Sequence, residues 1–360
     1  MPLLIQHQLG IQDFYKIRDM KIAASFPFKA FVCAFAASFL FVLAPAAAVD
    51  LRTTVYTSTD QEYAEIILAE AESKAQLKTV TVFDAEAAKT VGLERRLVAE
   101  KGRPKADIFW NSEFLRTHRL FTQGVLAATT TQAPAQPPIP AAFISGHSIG
   151  FGIRTRVVAV NTMAVAPAQR PSTLDDLTLP RFKGQVAVSN PLFGATSTHF
   201  AALHAQWGAE RFTAYLKALK KNDVVILPGN ADVRDAVAAG RVWVGLTDSD
   251  DAVGAIRRKQ ALAMIFPDQA GEGAFGLYMT VARIAGRPDT PEIQRLIDYL
   301  SSEATEKRLI DMGAVQFSVR PNGPMAPEVG PQRPKIWFMD PARVDASLAP
   351  SAALIKEHLL

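Results

Sequence analysis

Short alternating runs of apolar and polar residues follow longer amphipathic ones along most of the chain. Residues 51–56 alternate with β-branched side chains and predict a strand. The polar quartet Thr57, Ser58, Thr59 and Asp60 ends it, and residues 61–74 carry the period of a helix. A strand over 77–83 leads to a helix near 86–101 and to a third strand over 106–110, which runs into Asn111, Ser112 and Glu113. Residues 149–160 predict a long strand suited to pass between two bodies of structure. A loop with a short helix over 171–182 precedes a buried strand over 184–189. The turn that begins at Gly194 opens a long helix reaching about 219, with Phe200, Leu203, Trp207, Phe212 and Leu216 on its apolar face. A strand over 224–227, a helix over 231–239 and a strand over 241–246 repeat the theme, and the turn 247–251 (TDSDD) again precedes a helix. A strand near 274–284 returns the chain to its first part, and helices follow near 290–300, 303–312 and 341–358.

Strand, helix and strand in alternation call for parallel sheets with helices on their faces, so the fold class is α/β. Four prolines within residues 132–140 mark a surface connection, and no internal repeat is evident.

The first 48 residues stand apart from this pattern. An apolar run over 31–45 follows Lys21 and Lys29, and Ala46, Ala47 and Ala48 supply small residues for cleavage, so residues 1–48 are expected to be a signal peptide with Met20 as its true start. The run is too short to span a bilayer. The chain's one cysteine, Cys33, lies inside it. A mature chain from Val49 therefore has no thiol for a disulfide, a zinc site or a nucleophile. Loss of the leader removes four basic and two acidic residues from a chain of net charge +4, leaving a mild excess that gives no reason to expect a nucleic-acid partner.

Candidate chemistry sits in the polar turns that follow strands, because ligands of open α/β sheets bind beyond the carboxyl ends of the strands. Gly194, Ala195, Thr196 and Ser197 open a helix whose backbone N–H groups and positive dipole end suit an anion, although Thr196 or Ser197 can equally be ordinary caps. Asp248, Asp250 and Asp251 begin another helix, where carboxylates are also favoured simply by the dipole. Facing a cleft together with Asp60 or Glu113, they can hold a hard cation or an ammonium group. His199 and His204 are five residues apart, unlike the i, i+4 pair that shares a metal. Trp110 ends a buried strand and suits either core or cleft wall. No nucleophile elbow, P-loop, dinucleotide-binding glycine pattern or zinc-protease helix is present, so the chain is expected not to be an enzyme.

Residues 55–58 (VYTS), 104–110 (PKADIFW), 190–194 (NPLFG), Gly229 with Asn230, and 245–251 (GLTDSDD) occur in an order and spacing that resembles the ferric-ion-type branch of periplasmic solute-binding proteins. These are the type II two-lobed receptors of ABC importers. The resemblance implies two lobes, each a mainly parallel sheet flanked by helices, joined by a hinge of two crossing segments. Lobe 1 is then 49–150 plus 272–322, and lobe 2 is 151–271 plus 323–360. It further implies a monomeric periplasmic receptor that captures a small-molecule or metal ligand by hinge closure and presents it to an ABC permease in the inner membrane.

The resemblance has a departure. Ferric-binding members carry two adjacent tyrosines in the turn that here contains Asp248, Ser249 and Asp250, and a histidine where Thr59 and Asp60 stand. A tyrosinate site is absent. Ser58, Thr59, Asn111, Gly194, Ala195, Thr196, Ser197, Asp248 and Asp250 are the expected ligand-binding residues, with Asp60, Glu113, Asp248 and Asp250 as candidate metal ligands. No cofactor is expected, Fe³⁺ being cargo where it is bound at all. A small organic anion, such as a phosphonate or sugar phosphate, is the alternative ligand. An exported hydrolase is the remaining class.

Overall fold

A computed structural model describes residues 52–84, 91–128 and 139–360. The expected leader, its cleavage site and most of the proline-rich stretch lie outside the described residues.

One path of hydrogen-bonded strands runs through the molecule in the order β2-β1-β3-β9-β4-β7-β5-β6. Its first half holds β1 (Arg52–Thr57), β2 (Lys78–Phe83) and β3 (Ile108–Asn111), which are mutually parallel, and β9 (Ala274–Arg283), which is antiparallel to β3. The second half holds β5 (Val186–Ser189), β6 (Val225–Leu227) and β7 (Val244–Asp248), also mutually parallel. The 13-residue strand β4 (Ile149–Asn161) joins the halves: Ile149 to Thr155 pair with β9, and Arg156 to Val160 pair with β7. Almost every β4 residue is buried, as a strand covered on both faces requires.

Helices cover each half. In the first, α1 (Gln61–Ala75), α7 (Pro291–Leu300) and α8 (Glu303–Met312) pack one face, while α2 (Val91–Ala99) and α3 (Phe114–Thr122) pack the other. In the second, α4 (Gly194–Lys221) and α9 (Pro341–His358) lie on one face, and α5 (Asn230–Ala238) and α6 (Ser249–Arg257) on the other. Local chemistry sets the ends. Thr290 caps α7 ahead of Pro291, Ser302 caps α8 through Thr305 N at 3.1 Å, and Gly313 ends α8 at φ 94°.

The alternating periods therefore locate most of the elements. Three features differ. The helix expected over 194–219 is broken at Gly208, whose φ of 79° and ψ of 164° turn the axis, although Phe200, Leu203, Phe212 and Leu216 are all buried and Trp207 packs beside them. The short strands β8 (Leu262–Ile265) and β10 (Ile336–Trp337) and the whole of α3 were not evident in the pattern. Trp110, which suited either core or cleft wall, belongs to the core as that reading allowed, with no solvent exposure.

The crossing strand carries an irregularity at Gly152, between Phe151 and Ile153. Its φ is +55°, and its N–H donates to Glu306 Oε1 at 2.7 Å. The Glu306 carboxylate also pairs with Arg320 at 2.6 Å, and both side chains are wholly buried. It accepts further bonds from Ser318 Oγ and from Val319 N at 3.0 Å, so the buried charge is satisfied on all sides. A Cβ at position 152 would meet Val315 Cγ1 at 3.1 Å in a left-handed conformation that costs an L-residue about 1–2 kcal/mol. Gly152→Ala is expected to lower the thermal midpoint by several degrees, read by circular dichroism.

Candidate functional site

Six strands of the two halves end on one cavity of about 720 Å³, β2 among them through Phe83 and Asp84. The turn after β1 contributes Ser58, Thr59 and Asp60, and that after β3 contributes Ser112. Ser189 and Asn190 follow from β5, Pro228 and Gly229 lie after β6, and Asp248 ends β7. The amino ends of α1, α4, α5 and α6 accordingly surround the cavity, and their dipoles direct positive ends at it. No side chain caps α4, whose first turn lines the cavity at Gly194, Ala195 and Thr196.

Two arginines on one face of β4 organise the acidic wall. The Arg156 side chain is fully buried and reaches Asp248 Oδ1 at 2.5 Å through Nη1. It also donates to Asn230 Oδ1 and Thr196 Oγ1, each at 3.2 Å. Asn230 Nδ2 donates to Asp248 Oδ2 at 3.0 Å, and Ser189 Oγ reaches Asn230 Oδ1 at 2.7 Å. Arg154, two residues earlier, pairs with Asp250 at 2.9 Å and with Asp248 at 3.8 Å. Arg234 on α5 pairs with Asp251 at 3.3 Å, and Thr247 Oγ1 donates to the same carboxylate at 3.2 Å.

Carboxylate oxygens of Asp248, Asp250 and Asp251 lie within 4.8 Å of one another, a spacing that suits one cation. Such proximity shifts their titration. Burial, with Asp250 and Asp248 adding to it, raises the Asp251 carboxyl well above the usual range. Burial works against the Arg154 cation, but Asp250, Asp248 and Asp60 outweigh it and hold the guanidinium charged. Tyr63 stands near this wall, where burial and then Glu62, Asp250 and Asp60 push its phenol up and away from phenolate. No tyrosine lines the cavity among the described residues.

Of the residues expected from sequence, Ser58, Thr59, Asp60, Gly194, Ala195, Thr196, Asp248 and Asp250 line the cavity. Three do not. Asn111 is buried, accepting from Ser58 Oγ at 2.5 Å and donating to the Glu113 carbonyl and to Thr117 Oγ1, so it fastens the turn after β3. Glu113, expected as a metal ligand, is the cap of α3: it accepts from Leu115 N at 2.7 Å and Arg116 N at 3.1 Å, with no exposure. Ser197 Oγ donates to the Gly194 carbonyl at 2.8 Å and accepts from Arg116 at 3.2 Å. Ser112, beside Glu113, is the residue of that turn which faces the cavity. Thr196 lines the cavity with its backbone turn, but its hydroxyl is held by Arg156 and Ser189.

The residues that sequence reading overlooked are Arg154, Arg156 and Arg234, together with the structural role of Asn230. Arginines spaced by two within an apolar strand were a usable signal, since they share one buried face and must meet carboxylates there.

The sequence profile of a family described as bacterial extracellular solute-binding protein matches residues 104–337. The chain is similar to an Fe(3+)-binding periplasmic protein of Serratia marcescens, 24% identical over 273 residues that cover 73% of this chain and 78% of that protein. Among solved structures, a ferric binding protein from Campylobacter jejuni superposes with a TM-score of 0.75 at 18% identity, covering 85% of this chain and 99% of that one. Trichodesmium IdiA (FutA), in complex with iron and citrate ligands, gives 0.74 at 21% identity, covering 85% and 99%. At these identities the structural likeness speaks for the fold, which is the two-lobed type II arrangement expected from sequence.

Because the folded protein resists ionising Asp251 while the unfolded chain does not, this carboxyl lowers stability above the ordinary aspartate pKa and has no such effect below it. Asp251→Asn is expected to raise the thermal midpoint at pH 8, with the gain shrinking toward pH 4, as followed by calorimetry.

Proposed function

Because the chain belongs to the bacterial extracellular solute-binding protein family, we propose that it is the periplasmic receptor of an ABC importer and captures ferric iron as a complex with a small anionic chelator. The observation that carries this reading is the charge arrangement of the acidic wall. Three carboxylates converge closely enough to share one hard cation, yet Arg154, Arg156 and Arg234 already neutralise them.

Among the described residues, tyrosinate ligands for a bare trivalent ion are absent from this cavity, and the converging carboxylates are already paired with arginines. A chelate brings its own ligands. Its metal then meets the Asp248, Asp250 and Asp251 wall, with Asp60 opposite, while its free anionic groups meet the uncapped N–H groups at the start of α4. The names of relatives agree with this chemistry, since they include an Fe(3+)-binding protein and a structure holding iron and citrate.

The proposed moving bodies are residues 49–150 with 272–322 and residues 151–271 with 323–360. Their closure about β4 and β9 buries the complex between Ser58 and Thr59 on one side and Gly194, Ala195, Thr196, Asp248 and Asp250 on the other. The closed monomer is then recognised by an inner-membrane permease, which takes the cargo.

Titration calorimetry of the chain from Val49 onward with ferric citrate is expected to give saturable one-to-one binding, about tenfold or more tighter than citrate alone. Asp250→Asn should weaken the ferric complex by about tenfold. Heat with iron-free phosphonates or sugar phosphates, and none with any ferric complex, would assign the site to an organic anion instead.

A further inference from the structure

A second cavity, of about 560 Å³, shares no lining residue with the first. Trp207 from α4, Phe266 just after β8 and Trp337 from β10 contribute three half-buried rings to its wall. Each ring is braced from behind by another: Tyr215 lies edge-on to Trp207 at 5.3 Å, Phe317 edge-on to Phe266 at 6.1 Å, and Phe275 against Trp337 at 4.7 Å. The walls are therefore fixed in place.

Three carboxylates, Asp175, Asp268 and Glu272, share this cavity with a single cation, Arg211. Arg211 lies over the Trp207 ring at 4.3 Å and pairs with Asp175 at 3.5 Å. Glu272 accepts from Gln206 at 2.8 Å at an exposed edge. Asp268 is different. Its backbone is fixed by Ser172 and Gly273, its Oδ1 accepts a long bond from Leu174 N at 3.4 Å, and among the described residues no basic side chain pairs with it. A half-buried carboxylate in a cavity with aromatic walls is left with only the influence of Arg211, which is itself bound to Asp175.

We propose that this cavity is a second binding site, for a small organic cation of the substituted-ammonium class, with Trp207, Phe266 and Trp337 as its walls and Asp268 as the counter-ion. Aromatic faces attract an ammonium group whose apolar substituents fill the space between them, and the carboxylate selects the charge. Burial, with Asp175 and Glu272 adding to it against the Leu174 N–H and Arg211, pushes the Asp268 carboxyl up to about 6. A bound cation favours the ionised carboxylate, so affinity for it falls as the pH drops from 8 to 5.

Choline and its uncharged carbon isostere, 3,3-dimethylbutan-1-ol, are compared by equilibrium dialysis against the chain from Val49 onward. One choline is expected per chain, bound about tenfold or more tightly than the isostere. Asp268→Asn, whose amide oxygen keeps the Leu174 bond, should lose about tenfold in affinity and also its pH dependence, with no fall in the thermal midpoint. Glu210→Gln, an exposed carboxylate outside the cavity, should keep affinity within about twofold. Equal binding of choline and isostere, full affinity in Asp268→Asn, or no saturation by about 10 mM would each overturn the assignment.

Discussion

A guanidinium withdrawn completely from water is costly unless it is neutralised and hydrogen-bonded, and Arg156 imposes that demand at the centre of the second half. Its partners come from three directions: Asp248 at the end of β7, Asn230 at the start of α5 and Thr196 in the first turn of α4. Satisfying one charge therefore gathers the ends of three separate segments into a single plane. Asp248 is also the residue before α6, so the same contact fixes where Asp250 and Asp251 stand. Loss of either member of the Arg156 and Asp248 pair would strand the other, which ties the shape of the cleft to the stability of the core.

The cleft follows the general logic of α/β binding sites with chemistry of its own. Positive helix ends and backbone N–H groups still surround the cleft, as they do beyond the carboxyl ends of many α/β sheets. What changes is how charge is balanced. Arginines inside the wall hold the carboxylates close together, and burial leaves one of them, Asp251, reluctant to ionise.

Much of this was legible in the sequence because strand and helix periods differ, and because a parallel sheet places its binding turns at one edge. The errors have a common physical origin. A polar turn after a strand reads alike whether it faces a cleft or starts the next helix. The helix α3 was missed, so Glu113 looked like a ligand when it was that helix's cap. Gly208 was invisible for another reason: a single glycine leaves a helical pattern intact, while its positive φ breaks the axis. Arg154 and Arg156 were hidden by the strength of the apolar strand around them, although their spacing alone placed both on one face.

The last helix bears on how the protein is made. Ile355 and Leu359 are buried in the same cluster as Val158, Phe200 and Phe212, elements that were synthesised some 150 to 200 residues earlier. That core is complete only once the last helix has been made. Until then one face of the second half keeps apolar surface uncovered, so the last helix is the closing piece of its core.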